Sequence, residues 1–226
     1  MLVRLAILAL AALVAAPLAA QDKQQICRDI EHHAMTVGTW ATYNWTGGRS
    51  DGSTIRVAVI GKETRAGTAL YWYEMMMQNP KRSKDNMIMQ MLVPGLTYDP
   101  SGIRGFVMKS GDQPAMRIPE EMVRMMAANM GPNVAADIAR GCAEMELVGW
   151  EQVTVPAGTF RALHLRHPRS DTEAWLQPTL SFPMVKVVMK DGGSMALTAQ
   201  GTGAKSSITE TPRDMAFPGA RPAPPR

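Results

Sequence analysis

Methionine is the residue type in this chain whose number and spacing could support chemistry. There are 19 methionines among 226 residues. Three clusters stand out, and they are Met75–Met77; Met87, Met89 and Met91; and Met122, Met125, Met126 and Met130. Alternate positions share one face of a strand, whereas positions three or four apart share one face of a helix. The second cluster is therefore predicted to lie on one face of a sheet, and the third on one face of a helix.

Three interpretations fit such clusters. A thioether side chain is flexible and polarizable, so it can conform to apolar ligands of varied shape. Thioether sulfur is also a ligand that selects Cu(I). The third interpretation is an ordinary core in which methionine fills space. All three stay open at the level of sequence, and we adopt the apolar-ligand cavity as the functional hypothesis.

Histidines do not form a comparable pattern. His32 and His33 are adjacent on a predicted helix, so their side chains point about 100° apart. His164 and His167 are three residues apart on a predicted strand, which places them on opposite faces. We expect these side chains at the surface or at the rim of a pocket. No histidine-bound metal is therefore expected. We also expect that the chain carries no cofactor and is not an enzyme.

The N-terminus has the order of a secretory signal peptide. A single charge, Arg4, precedes an apolar run over Leu5–Ala16, and small residues follow up to Ala20. The run is shorter than the roughly 20 residues that a membrane-spanning helix needs. The first cysteine, Cys27, lacks the setting of a lipoprotein cleavage site. We expect a cleaved signal peptide over residues 1–20 and a soluble periplasmic or secreted protein.

The cysteine count agrees with export. Cys27 and Cys142 are the two cysteines of the chain, and they allow one intramolecular pairing. Free thiols or an intermolecular bridge are the alternatives, but an oxidising compartment favours the disulfide.

The net charge excludes one class of partner. The formal charge is +4 at pH 7, and removal of Arg4 leaves 23 basic against 20 acidic residues, a charge of +3. The basic residues are scattered rather than clustered, so no nucleic-acid binding is expected.

Local patterns predict many short strands and two helical regions. One helix is predicted over Asp22–Val37, and another begins after Pro119, a residue type favoured in the first helical turn. Elsewhere apolar residues alternate in short segments bounded by turn residues. Residues 21–208 are expected to form a single domain. The Pro-rich residues 209–226 are expected to be a disordered tail.

A hairpin motif in the second half has a counterpart in a known group. Val153–Phe160 ends in the sequence VPAGTF, and Trp175–Pro178 and Val185–Val187 follow it. This order resembles a broad group of exported bacterial proteins of unassigned role, which is similar to the LolA/LolB-like lipoprotein-carrier superfamily. Gly38–Trp40 and Tyr71–Glu74 resemble the front half of the same group. The resemblance implies a curved sheet that wraps an apolar cavity partly closed by helices.

These observations predict an α+β fold: a curved antiparallel sheet forming a half-barrel, with an N-terminal helix and a mid-chain helical lid. The predicted function is binding of an apolar small molecule, a lipid or a lipidated protein. The alternatives are a periplasmic Cu(I)-binding protein and a cell-envelope assembly factor that contacts a membrane surface or an envelope protein. We expect a monomer. The predicted ligand-binding residues are Trp72, Met76, Met87, Met89, Met91, Met122, Met125 and Met126.

Overall fold

The computed structural model describes residues 16–48, 50–98, 100–127, 141–142 and 144–215. Two α-helices lie within these ranges, α1 (Ala16–Glu31) and α2 (Glu120–Ala127). The strands are β1 (Trp40–Thr46), β2 (Thr54–Arg65), β3 (Thr68–Gln78), β4 (Met87–Val93), β5 (Gly105–Ser110), β6 (Met116–Ile118), β7 (Glu146–Val155), β8 (Gly158–His167), β9 (Thr172–Leu176), β10 (Met184–Val188), β11 (Ser194–Gly201) and β12 (Arg213–Asp214). Alternating apolar residues and tight turns account for most of these strands.

All these strands belong to one sheet. Their spatial order is β12-β6-β5-β4-β3-β2-β1-β11-β10-β9-β8-β7. Neighbouring strands are antiparallel, except that β12 runs parallel to β6. The chain thus forms two meanders, β1–β6 and β7–β11, which join where β1 pairs with β11.

The predicted α+β half-barrel is wrong. The structure is a large open sheet of 12 strands, and in the described part of the chain the helices contribute 16 and 8 residues. The helical spacing near the N-terminus and after Pro119 predicts helices that are present. It does not predict how small a part of the fold they form. The lid is supported in part, since α2 begins after Pro119 and its Val123 is buried in the core. Met130, predicted on the same helix, lies outside the described residues.

The sheet is curved at its β7–β8 end. The backbone N–H of Ala157, in the turn between these strands, donates to the carbonyl of Leu197 on β11 at 3.2 Å. In sheet order two other strands, β9 and β10, lie between β8 and β11. The hairpin of the VPAGTF motif therefore folds over the sheet. Irregular register at Met184–Lys186 and at Leu147–Gly149 lies in the same region, as expected because bulges increase strand bending.

Helix α1 covers β8 and β9. Ile26 and Ile30 pack against Leu163, Leu165 and Leu176 in a separate apolar cluster. The predicted Cys27–Cys142 disulfide is present, with a Cα–Cα distance of 5.7 Å and a sequence separation of 115 residues. A bridge across so long a loop contributes about 5 kcal/mol in the chain-entropy model. The predicted cleavage point after Ala20 falls inside α1, and the helix ends at Glu31 rather than at Val37.

The C-terminal segment covers the opposite face of β3–β5. Glu74 is buried on this face, and its carboxylate accepts hydrogen bonds from the side-chain amide of Gln90 at 2.8 Å and from the backbone N–H and hydroxyl of Ser207 at 2.9 and 2.7 Å. Arg56 Nη1 lies 3.7 Å from Glu74 Oε1. Residues 209–215, assigned to the tail by sequence, continue along β6 and include β12.

We predict that Glu74→Ala destabilises the protein and exposes the segment that Glu74 holds. The substitution removes the acceptor of the buried Gln90 amide and of two donors of Ser207, which should lower the free energy of unfolding by about 3 kcal/mol. Trypsin should then cleave faster after the exposed Lys205. Urea unfolding and timed proteolysis measure the two effects.

The matched control is Asp85→Ala. The Asp85 carboxylate lies 3.6 Å from Arg82 in an exposed ion pair, so its loss should change the unfolding free energy by less than about 0.5 kcal/mol. An unchanged rate of cleavage after Lys205 in Glu74→Ala would contradict the assigned role of Glu74.

Candidate functional site

An apolar cavity of about 110 Å³ opens on one face of the sheet, beside the junction of β1 and β11. Its lining residues are Ile30, Tyr43, Trp45, Ile55, Val57, Tyr73, Met75, Leu96, Leu176, Phe182, Pro183, Met184 and Met195. Every lining side chain is aliphatic, aromatic or a thioether, and none carries a charge at neutral pH. The cavity therefore offers apolar contact to a ligand and no ionic contact.

Strand register creates the floor of this cavity. Tyr43 lies opposite Ile55, and Val57 lies opposite Met75. Directly opposed residues project from the same face of an antiparallel sheet, and their Cβ atoms lie about 5 Å apart. A shift of one residue in any strand would turn its apolar set to the other face.

Loops and α1 form the walls. The ring of Phe182, from the loop before β10, lies 6.4 Å from the ring of Tyr73. This loop is held by two contacts: the N–H of Gln177 donates to the carbonyl of Pro183 at 2.8 Å, and His33 Nε2 lies 3.1 Å from the carbonyl oxygen of Ser181. Burial lowers the pKa of His33, although the hydrogen bond to Ser181 acts in the opposite direction.

Buried phenols add weak polarity to an apolar site. Burial raises the pKa of Tyr43 above its ordinary value. Burial also raises the pKa of Tyr73, and the neighbouring Tyr98 and Tyr43 act in the same direction. Both phenols therefore stay protonated at neutral pH. The Tyr98 hydroxyl donates to Met91 Sδ at 3.2 Å.

The predicted row of methionines on β4 lies outside the cavity lining. Met87, Met89 and Met91 share a face with Met77, Met75 and Tyr73, their partners on β3. Met91 is buried, whereas Met87 and Met89 are half-buried. The row thus continues the apolar face beyond the cavity and leaves the floor to β1, β2 and β3.

Trp72 and Met76 lie on the opposite face of the sheet. Trp72 pairs with Leu92 across β4, and Met76 pairs with Ile88. The indole N–H of Trp72 donates to Glu63 Oε1 at 2.7 Å. Two members of the predicted site are therefore separated from the β4 methionines by the thickness of the sheet.

The helix methionines also lie apart from the cavity lining. Met122 is half-buried against the main core, whereas Met125 and Met126 are 56% and 39% exposed. None of the eight predicted residues lines the apolar cavity. The residues that do line it carried one overlooked sequence signal, the alternation of aromatic residues at Tyr43 and Trp45 on the first strand.

A second cavity, of about 510 Å³, has charged residues in its lining. Its lining residues are Glu63, Arg65, Trp72, Arg104, Gly105, Phe106, Arg117, Ile118, Pro119, Glu120 and Asp214. Its charges pair with one another: Arg65 lies 3.0 Å from Glu63, and Arg117 lies 3.3 Å from Asp214. Such exposed pairs are weak, and three arginines balance three carboxylates. The smaller apolar cavity is therefore the better candidate for a binding site.

His164 departs from the expectation of a surface or rim position. It is 8% exposed and stacks on Trp175 with 4.4 Å between ring centroids. Its Nδ1 lies 3.4 Å from Glu151 Oε1, and its Nε2 lies 3.6 Å from Glu173 Oε2. The spacing of His164 and His167 predicts only that the two side chains lie on opposite faces, and it does not indicate that Trp175 covers His164.

The chain also contains a serine motif that is typical of hydrolases. Residues 48–52 match the pattern Gly-x-Ser-x-Gly, with Ser50 at the centre. In α/β-hydrolases this pattern places the serine on a turn between a strand and a helix, whereas here the segment connects the hairpin strands β1 and β2. Asp51 Oδ1 accepts a hydrogen bond from the N–H of Gly47 at 2.9 Å. The structure describes residue 48 and residues 50–52 of this segment, and the N–H of Ser53 donates to the carbonyl of Ser50 at 2.9 Å, which is typical of a β-turn rather than of a nucleophile elbow.

Two further properties concern the described ranges of the chain. They contain no group of three or more His, Cys, Asp or Glu side chains positioned to hold a metal ion. None of the helices in these ranges is long and apolar enough to cross a membrane.

No protein-family model and no curated protein matches the chain. Several solved structures are similar to it, among them the following three. A candidate lipoprotein from Parabacteroides distasonis ATCC 8503 has a TM-score of 0.35 and 12% identity, over 74% of this chain and 96% of that one. A candidate exported protein with a YmcC-like fold from Bacteroides fragilis NCTC 9343 has a TM-score of 0.36 and 11% identity, over 74% and 97%. MucB has a TM-score of 0.40 and 14% identity, over 83% and 61%.

The buried phenols generate a prediction about alkaline stability. Above pH 10 tyrosine ionises in the unfolded chain, whereas the raised pKa values keep Tyr43 and Tyr73 neutral in the folded protein. The contribution of these two phenols to the free energy of unfolding is therefore fully present below pH 10. It falls as the pH rises, by about 1.4 kcal/mol for each tyrosine at pH 11. Urea unfolding at pH 8 and pH 11 measures the loss.

The double variant Tyr43→Phe/Tyr73→Phe is the comparison. It keeps both rings but has no phenol to ionise at these positions. Between pH 8 and pH 11 its free energy of unfolding should therefore fall by about 3 kcal/mol less than that of the unmodified protein. Equal losses in the two proteins would show that the buried phenols do not control the alkaline limit.

Proposed function

We propose that this protein is an extracytoplasmic binding protein that holds an apolar group in the cavity between β1–β3, β11 and the loop before β10. The observation that carries the proposal is the composition of the lining, which is apolar throughout and includes Met75, Met184 and Met195. Methionines adjust their shape to different ligands. Binding is non-covalent, and it is driven by removal of apolar surface from water at about 25 cal/mol per Å².

The size of the cavity limits the ligand to a small apolar group. Pockets that enclose a whole drug-sized ligand measure about 300–1,000 Å³, and an apolar cavity of about 150 Å³ is large enough for benzene. At about 110 Å³, the cavity accepts the end of one acyl chain. The rest of the molecule would remain outside the cavity. A lipid and a lipidated protein would therefore present the same group.

Two observations support an extracytoplasmic location. The Cys27–Cys142 disulfide is of the kind that persists in oxidising compartments. The N-terminal residues 1–20 have the order of a signal peptide. The role we propose is binding without catalysis, because the cavity lining provides no acid, base or nucleophile that is charged at neutral pH.

The binding test uses cis-parinaric acid, a fatty acid that becomes fluorescent in apolar surroundings. We expect saturable binding of one molecule per chain. Ile55→Trp fills the cavity from its floor and should weaken binding at least about tenfold, which corresponds to 1.4 kcal/mol. Fluorescence titration of the purified protein gives both affinities.

The matched control is Thr54→Trp. Thr54 precedes Ile55 on β2 and lies on the opposite face, where it pairs with Asn44 and Gln78. This variant should bind the probe with unchanged affinity. Competition by free palmitate, a lysophospholipid and a synthetic lipopeptide then distinguishes a lipid from a lipidated protein as the source of the acyl chain. Equal weakening by both tryptophan variants, or no saturable binding, would contradict the proposal.

A further inference from the structure

Two cross-strand pairs of methionines lie side by side on one face of β3 and β4. Met75 is directly opposite Met89, and Met77 is directly opposite Met87. All four side chains are half-buried. Only Met75 also lines the apolar cavity, so the group extends past it toward the ends of the two strands. From this arrangement we propose a Cu(I) site formed by the four thioethers.

The spacing of the four residues suits one shared ion. Opposed residues have Cβ atoms about 5 Å apart, and positions i and i+2 on one strand are separated by about 6.7 Å. The four Cβ atoms therefore form a rectangle whose centre lies about 4 Å from each corner. A methionine sulfur is two bonds beyond Cβ on a flexible side chain. All four sulfur atoms can consequently converge on an ion above the centre.

The row of Met87, Met89 and Met91 on β4 cannot bring its sulfur atoms to one point in the same way. Met87 and Met91 are four residues apart on β4, so their Cβ atoms are separated by about 13 Å. The sulfur of Met91 already accepts a hydrogen bond from the Tyr98 hydroxyl, and Met91 is 2% exposed. The pairing of two strands, rather than alternation along one, is what brings four thioethers together.

The chemistry of the group favours Cu(I). Thioethers are soft, neutral ligands that select Cu(I), whereas harder divalent ions prefer imidazole, carboxylate or water. Met108 lies directly opposite Met89 on β5 and supplies a fifth thioether next to the rectangle. The residue opposite Met77 on β2 is Ile55, which gives the site an apolar border.

An ion can reach these residues from the end of the sheet. Met77 precedes the last residue of β3, and Met87 is the first residue of β4. The intervening loop carries a short 3-10 helix, Ser83–Asp85, that contains no buried residue. The site is therefore next to an exposed loop, and three of its four residues lie outside the lining of the apolar cavity.

The experiment titrates the purified protein with Ag(I), a redox-inert analogue of Cu(I), and follows the methionine ε-methyl signals by NMR. We expect one equivalent to bind and to shift the signals of Met75, Met77, Met87 and Met89 most. Anaerobic competition with the chromophoric chelator bicinchoninate then gives the Cu(I) affinity. In the variant with leucine at all four positions, the affinity should fall more than about 100-fold, beyond the effect of losing a supporting residue near a metal.

Two further variants distinguish a specific Cu(I) site from nonspecific binding to methionine and from loss of the fold. Met125→Leu/Met126→Leu removes two exposed thioethers on α2 and should keep the full affinity. Leucine retains apolar volume, and the single variant Met89→Leu should be folded by circular dichroism and yet bind less tightly. Wild-type affinity in the fourfold variant, or shifts spread evenly over all methionines, would overturn the proposal.

Discussion

The fold depends on one constraint: an open sheet of 12 strands has to bury its apolar surface, and the described chain has little helix with which to cover it. Helix α1 covers β8 and β9 and is tied to the body by the disulfide. The sheet covers part of itself when the β7–β8 hairpin folds over β11. Loops cover another part. A C-terminal segment, hydrogen-bonded to Glu74 through Ser207, covers the opposite face of β3–β5.

Incomplete cover explains why both proposed sites lie on the same face. Over β1–β3 the loop with Phe182 closes only part of the sheet and leaves the apolar cavity. Further along the same face, Met75, Met77, Met87, Met89 and Met108 are half-buried rather than fully covered. Met75 belongs to both regions. Flexible side chains suit such a surface because they can cover it when it is empty and move aside for a ligand.

Much of the local structure could be predicted from sequence because it depends on local patterns. The alternation of Met87, Met89 and Met91 predicts a strand, and β4 spans Met87–Val93. The VPAGTF motif predicts a hairpin, and in it Val155 pairs with Gly158. Alternation and turn chemistry carry this information.

The fold class and the position of the cavity depend on contacts between distant residues. The pairing of β1 with β11 joins residues about 150 positions apart, and no local pattern encodes it. Trp72 and Tyr73 are adjacent and equally aromatic, yet only Tyr73 faces the cavity. The loops and strands that pack on β3 decide which of its alternating residues face the cavity. The eight predicted ligand-binding residues therefore came from both faces of the sheet.

The most direct test of the central claim, that the cavity beside the β1–β11 junction binds an acyl chain, is an intermolecular NOE measurement. Protonated palmitate is added to deuterated protein with labelled methionine ε-methyl groups. The account predicts NOEs from the chain to Met75, Met184 and Met195, which line the cavity. NOEs confined to Met122, Met125 and Met126, or none at a saturating concentration of palmitate, would contradict it.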